Sequence, residues 1–399
     1  MNDLLLRGGR PWTPGAPLTT ADILISGGRI TAIGPDLTET ATETIDLAGA
    51  LVLPGLVDSH CHLDKTMYGG PWIPNSGGRT LSGRIANGEG RRRELGLPSA
   101  EYSANLLAAM ISHGTAHVRS HIDIDPEVGL GGVEAVRAAA ERYSDRVDVQ
   151  LVAFPQGGLM NRPGTAELLE AALADGVEVI GGLDPAGYDG NPTGQLDLLF
   201  GLAEKYGARI DIHLHDRGAL GAWQYDLIIE RTRATGLSGR VTISHAYAMG
   251  ELAPEEQRRI AEGLADAGVS MVTCAVGDAP VVPVRLMHET GAGLALGNDG
   301  IRDLWTPYGD GDMLRRIMTV AFRGRLVADA EIELALAAGT YGGARVLGID
   351  NYGLGVGSAA DLFTVTAETP AHAVVSVPTR ELVLKRGRVV ARSGALVAD

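Results

Sequence analysis

Two rhythms of apolar and polar positions run along the chain. At both ends, short apolar runs are broken by turn residues: DLLLRGGRPW, ADILISGGRITAIG and ETIDLAGALVLPG at the start, and AADLFTVTA, HAVVSVPT and RELVLKRGRVVARSG at the finish. These read as short strands, with hairpin turns expected at the Gly-Gly pairs 8–9 and 27–28. Two strand-rich ends around a different middle suggest one small β-sandwich domain built from both termini, residues 1–53 with 351–399.

The middle, residues 54–350, alternates apolar strands with helical periodicity. The expected strands are GLVDSHCH (55–62), GTAHVRSHID (114–123), DVQLVAFP (148–155), VEVIGGLD (177–184), ARIDIHLH (208–215), RVTISHA (240–246), GVSMVTC (268–274) and GLALGND (293–299). AELLEAALADG, LDLLFGLAEKYG and PEEQRRIAEGLADAG read as helices between them. Eight βα repeats predict an α/β fold, a closed (β/α)8 TIM barrel. The long segment 64–105 carries GGPWIPNSGG, which reads as an active-site loop.

Composition narrows the partners. A net charge of −15 disfavours nucleic acid and anionic membrane, both of which call for a basic face. No apolar run reaches the ~18 residues of a membrane helix, and MNDLLLRGGRPW lacks the basic-then-apolar order of a secretory leader. Cys61 and Cys274, the two cysteines, fit a reducing compartment. The expectation is a cytoplasmic protein.

The strand ends carry the chemistry. In DSHCHLDKT, His60 and His62 alternate and so share a face, while Cys61 points to the core. His213 and His215 end the fifth strand, His245 the sixth and Asp299 the eighth. Barrel enzymes place reacting groups at this C-terminal face. Histidines with a carboxylate suit Zn2+ or Fe2+ and leave a position for water.

The order HxHLD, VAFPQ, DxH, SH and a terminal Asp resembles the amidohydrolase superfamily, within it the cytosine deaminases and their s-triazine-hydrolysing relatives. The resemblance implies one divalent metal ion, Zn2+ or Fe2+, held by His60, His62, His213 and Asp299. It implies that His245 lies behind the ligands and helps activate water, that Asp299 also takes a proton, and that Gln156 reads the substrate ring with Trp305 over the pocket. The strand-four run VEVIGGLDP offers no lysine for a second metal. The implied reaction is deamination of a cytosine-like heterocycle, metal-bound hydroxide attacking the carbon that bears the amino group. Alternatives are an s-triazine N-alkylamino hydrolase, a cyclic amide hydrolase, or a heterocycle-binding barrel without catalysis. A small heterocycle is the expected partner, and the resemblance implies a homo-oligomer.

Three positions depart from the pattern. Asp216 stands where cytosine deaminases have a proton-shuttling glutamate, and is expected to take that role with a shorter reach, His215 being the neighbour able to share it. Gly300 stands where family deaminases often have a second aspartate, removing a carboxylate and enlarging the pocket. Lys65 follows HxHLD and would favour an electron-rich or anionic ring, or else pair with Asp64.

Overall fold

The computed structural model describes residues 2–75 and 80–398, so residues 76–78 of the expected GGPWIPNSGG loop lie outside the described residues. Five strands open the chain: β1 (Asn2–Pro11), β2 (Ala21–Ser26), β3 (Arg29–Gly34), β4 (Ala41–Asp46) and β5 (Leu51–Pro54). Eight parallel strands follow: β6 (Leu56–Cys61), β7 (Thr115–Asp123), β8 (Asp148–Phe154), β9 (Val179–Leu183), β10 (Arg209–His213), β11 (Val241–Ser244), β12 (Val269–Thr273) and β13 (Gly293–Leu296). The chain closes with β14 (Leu362–Val365), β15 (Leu382–Lys385), β16 (Arg388–Arg392) and β17 (Ala395–Leu396).

β6 to β13 pair in chain order as one sheet with helices between them, the (β/α)8 barrel expected from the alternation. β13 and β6 meet through a single parallel bridge, Cys61 to Asp299, where the other neighbours form ladders. The remaining strands form a separate nine-stranded sheet in which β5 lies between β1 and β14, interleaving the two termini. On this basis we propose the domain division 1–53 with 351–399 against 54–350.

Two local expectations are corrected. Gly27 and Gly28 make the β2–β3 turn, but Gly8 and Gly9 lie inside β1 at an irregularity in its register with β2. Gly9 is required by contact: a Cβ there would come within 2.7 Å of Leu47 and 2.8 Å of Val52. HAVVSVPT is not a strand. Pro370–Ser376 is a helix, with Pro370 in the first turn and Thr369 capping the His372 N–H, so local capping overrides the β-branched composition.

A buried charged joint ties the sheet to the N-terminal end of the barrel. Lys385 of β15 is 1% exposed. Its Nζ donates to Asp148 Oδ2 (2.7 Å), Asp361 Oδ2 (2.7 Å) and the Ala116 carbonyl (3.1 Å). His117 lies between the same two carboxylates, 3.3 Å from each. Burial would raise the Asp361 carboxyl, but His117 and Lys385 more than offset it and hold it below the ordinary carboxylate range.

Candidate metal centre and active site

The expected strand limits run too long at the C-terminal face. His62, His215, His245 and Asp299 all lie just past the last ladder residue of their strands. His245 (φ 68) and Asp299 (φ 63) adopt left-handed backbone, which a continuing strand cannot supply. The strain turns both side chains to where the strands converge.

One nitrogen each from His60, His62 and His213 lie within 4.8 Å of one another, as do one nitrogen each from His60 and His245 and a carboxylate oxygen of Asp299. Asp299 Oδ1 is 3.4 Å from His62 Nε2 and 3.7 Å from His60 Nε2. His60 Nε2 and both His213 ring nitrogens are buried without a hydrogen-bond partner among the described residues. Unpaired buried nitrogens are costly unless something else binds them. Burial pushes the pKa of His60 and His213 down, favouring the neutral imidazole that a metal requires. His60, His62 and His213 therefore fit a divalent ion, with Asp299 beside the first two.

Hydrogen bonds fix which His60 nitrogen stays open to such an ion. The Ser244 hydroxyl donates to Asp211 Oδ1 (2.6 Å), so it accepts from His60 Nδ1–H (2.9 Å) and leaves the Nε2 lone pair free. Arg119, fully buried, holds the other Asp211 oxygen at 2.8 Å. His62 Nδ1 is likewise 3.2 Å from the His121 carbonyl. His117, Arg119, His121 and Asp123 thus serve separate partners: the sheet joint, Asp211, the His62 ring and Lys65.

Asp299 reaches β6 because of Gly297. A Cβ at residue 297 would lie 2.5 Å from both the Cβ and the carbonyl oxygen of His60. The approach lets Asp299 N donate to the His60 carbonyl at 2.8 Å. Gly297→Ala is expected to lower metal stoichiometry and weaken metal affinity about tenfold or more although no ligand is altered, as loss of supporting contacts does elsewhere; metal titration with a chelating dye checks this.

A cavity of about 450 Å³ opens over the cluster. Of the expected residues, His62, Lys65, Gln156, His213, His245, Asp299 and Trp305 line it. Lys65 Nζ donates to Gln156 Oε1 (2.8 Å) and pairs with Asp123 (3.0 Å), not Asp64. It also stands 5.5 Å from the centre of the Trp305 ring. Burial opposes the charge of Lys65, yet Asp123 and Asp64 outweigh it and raise its pKa.

Of the expected residues, His60 is buried beneath the cavity and Asp216 is not brought to it. Its Oδ2 accepts from the Gly187 N–H (2.9 Å) and from Gln224 Nε2 (2.8 Å), which ties it to the loop after β9. His215 lines the cavity instead. Its Nδ1 is 2.7 Å from Asp184 Oδ2, and its backbone N–H donates to Asp184 Oδ1 at 2.5 Å. Burial works against a charged His215, but Asp184 outweighs it and raises its pKa. His245, 4.3 Å away between ring centres, is pushed down to about 3 by burial and by His215. The two neighbouring imidazoles therefore differ in proton affinity.

Sequence reasoning passed over the helix Leu81–Arg91, whose Gly83, Gly88 and Gly90 hide its periodicity. Its Thr80 cap and buried Ile85 were the available signals. It brings Leu81 and Arg84 to the cavity.

Residues 43–96 and 95–391 match the profile of the Amidohydrolase family. The chain is 34% identical to N-isopropylammelide isopropyl amidohydrolase of Pseudomonas sp. (strain ADP) over 382 residues, 94% of this chain and 95% of that one. Its fold is similar to the crystal structure of N-isopropylammelide isopropylaminohydrolase from Burkholderia multivorans, with a TM-score of 0.94, 43% identity and full coverage of both chains. It is also similar to 5-methylcytosine deaminase from Klebsiella pneumoniae liganded with 5-fluorocytosine, with a TM-score of 0.85 and 25% identity over 97% of each.

Proposed function

For this chain, which belongs to the amidohydrolase family and is a hydrolase acting on C–N bonds, we propose removal of an amino or N-alkylamino group from a six-membered oxo-nitrogen heterocycle of the s-triazine kind. Water adds to the ring carbon, the exocyclic C–N bond breaks, and ammonia or an amine leaves with the proton. The observation that carries this reading is the meeting, in one cavity, of His62, His213 and Asp299, with His60 buried behind them, with His215, held by Asp184, and with the Lys65–Gln156 pair.

His60, His62, His213 and Asp299 would hold one divalent ion, Zn2+ or Fe2+. When bound, such an ion supplies an acidified water and a Lewis acid. Asp299 and His245, which line the cavity beside one another, would take up the proton of the attacking water. His215, with Nδ1–H fixed on Asp184, presents Nε2 to the cavity and delivers a proton to the leaving nitrogen. Lys65 donates to an oxo oxygen or a deprotonated ring nitrogen, and the Gln156 amide hydrogens read the adjacent edge. Trp305 covers the ring. Leu81, Val276, Ala279 and Pro307, which also line the cavity, suit an alkyl substituent on the leaving nitrogen. A homo-oligomer in the cytoplasm with this small heterocycle as partner completes the proposal; no helix among the described residues is long and apolar enough to cross a membrane.

The test is amine and ammonia release by metal-loaded protein from N-alkylamino-dioxo-s-triazines, their primary-amino parents, cytosine, isocytosine and creatinine, with Asp299→Ala as control. Fastest release from the N-alkylamino triazines, lost in the control, is the expected outcome. Preference for cytosine would replace it with the deaminase reading, and silence across the set from metal-replete protein would end both.

A further inference from the structure

Gly300 is not there for its backbone freedom. Its φ lies outside the left-handed region that favours glycine. What it lacks is a side chain, and the missing space is filled. A Cβ at residue 300 would lie 2.2 Å from Asp303 Oδ2 and 2.9 Å from Asp303 Cγ. The expectation that Gly300 removes a carboxylate and widens the pocket is therefore corrected: a carboxylate is present, delivered from three residues further on.

The two oxygens of Asp303 have different fates. Oδ1 accepts from the Trp305 N–H (2.8 Å) and the Thr306 N–H (2.7 Å), holding the turn that presents Trp305. Oδ2 has no hydrogen-bond partner among the described residues. Asp303 is only 3% exposed, yet it lines the cavity beside Lys65, Asp299 and Gly300. Lys65 does not satisfy it: its Nζ contacts are Asp123 and Gln156. With no protein donor on it and with Asp303 lining the cavity, Oδ2 is an acceptor open to a ligand there, and the neighbouring residue is reduced to glycine where that oxygen sits.

We propose that Asp303 Oδ2 is a specificity determinant that accepts a hydrogen bond from an N–H on the edge of the substrate ring, while Lys65 donates to the ring on its own side. The inference deepens the proposed function by defining the ring: it presents a lactam-type N–H to Asp303 and an acceptor to Lys65. Rings whose corresponding nitrogen is alkylated lose that contact and meet a desolvated carboxylate instead. Discrimination of this kind is large because a ring bound without that N–H would cut the carboxylate oxygen off from water and leave it unpaired.

The test is equilibrium binding to metal-loaded protein, which needs no turnover. The probes are a trioxo-s-triazine with ring N–H groups and its fully N-methylated analogue. The proteins are wild type, Asp303→Ser, and Gly300→Asp/Asp303→Ser. Serine can still accept from Trp305 and Thr306 to hold the turn, and the double variant returns a carboxylate to the same space. Wild type is expected to prefer the N–H ring, Asp303→Ser to bind it about 10- to 100-fold more weakly with little change for the methylated ring, and the double variant to recover part of the loss. Metal content is measured in parallel and is expected to stay unchanged. Equal losses for both rings, no loss for either, or no recovery in the double variant would overturn the assignment. Amine release without this coupling removes the role of Asp303 alone, and the coupling without amine release removes the proposed reaction alone.

Discussion

Replacing His215 with asparagine lowers kcat by about 10²- to 10⁴-fold, the usual worth of a positioned acid–base group, while Asp216→Asn stays within a few-fold of wild type. The spacing of the strand-five motif points to residue 216, but the geometry points to residue 215. Asp216 spends its carboxylate on Gly187 and Gln224, bonds that an asparagine oxygen can keep in part. His215 is oriented by Asp184 through both its ring and its backbone N–H. Asp184→Asn should therefore resemble His215→Asn in kcat, because an amide facing Nδ1 no longer demands the same tautomer. His215 lies outside the proposed ligand set, so metal content should remain at wild-type level in all three variants. A large fall for Asp216→Asn with a mild one for His215→Asn would restore the assignment made from spacing.

Lys385→Met is expected to cost about 3–5 kcal/mol of folding stability, because it takes the cation from the buried Asp361 carboxylate; Asp148, partly exposed and still paired with Arg386, adds little. The pH dependence has a definite sign. The Asp361 and Asp148 carboxyls lie below their ordinary range in the folded protein, so the two carboxylates contribute fully above about pH 4, the unfolded carboxylate value. That contribution is lost as pH falls through the folded values. His117, pushed down chiefly by burial, adds to the loss by protonating more readily in the unfolded chain. In Lys385→Met the Asp361 pKa rises, so the deficit relative to wild type shrinks on acidification. Urea unfolding at neutral and acidic pH checks both statements. The Lys385→Met/Asp361→Leu pair should recover most of the loss. Activity of the folded variant should hold, since the joint lies at the opposite end of the barrel from the cavity.

The barrel was legible because each parallel strand is an apolar run set off by an amphipathic helix, and βα alternation leaves few other folds. The histidines were legible because they end those runs. What spacing could not reveal was orientation beyond the last ladder. Whether His215 or Asp216 turns inward depends on Asp184, which comes from another strand end. The carboxylate beside Gly300 was hidden because it arrives from Asp303 through a turn. HAVVSVPT misled because its β-branched residues follow a Thr-Pro helix start, and the Leu81–Arg91 helix was obscured by its glycines.

The single bridge between Cys61 and Asp299 gives the barrel an uneven rim. Seven junctions are sewn by ladders, and the eighth is fastened by one bridge whose Asp299 also belongs to the candidate metal cluster. An ion gripped by His60 and His62 on one side of that gap and by Asp299 on the other would act as a rivet across the ring's one open seam. Any ion bound only by the folded ring stabilises it by mass action, so cofactor supply and the roundness of the barrel would rise and fall together.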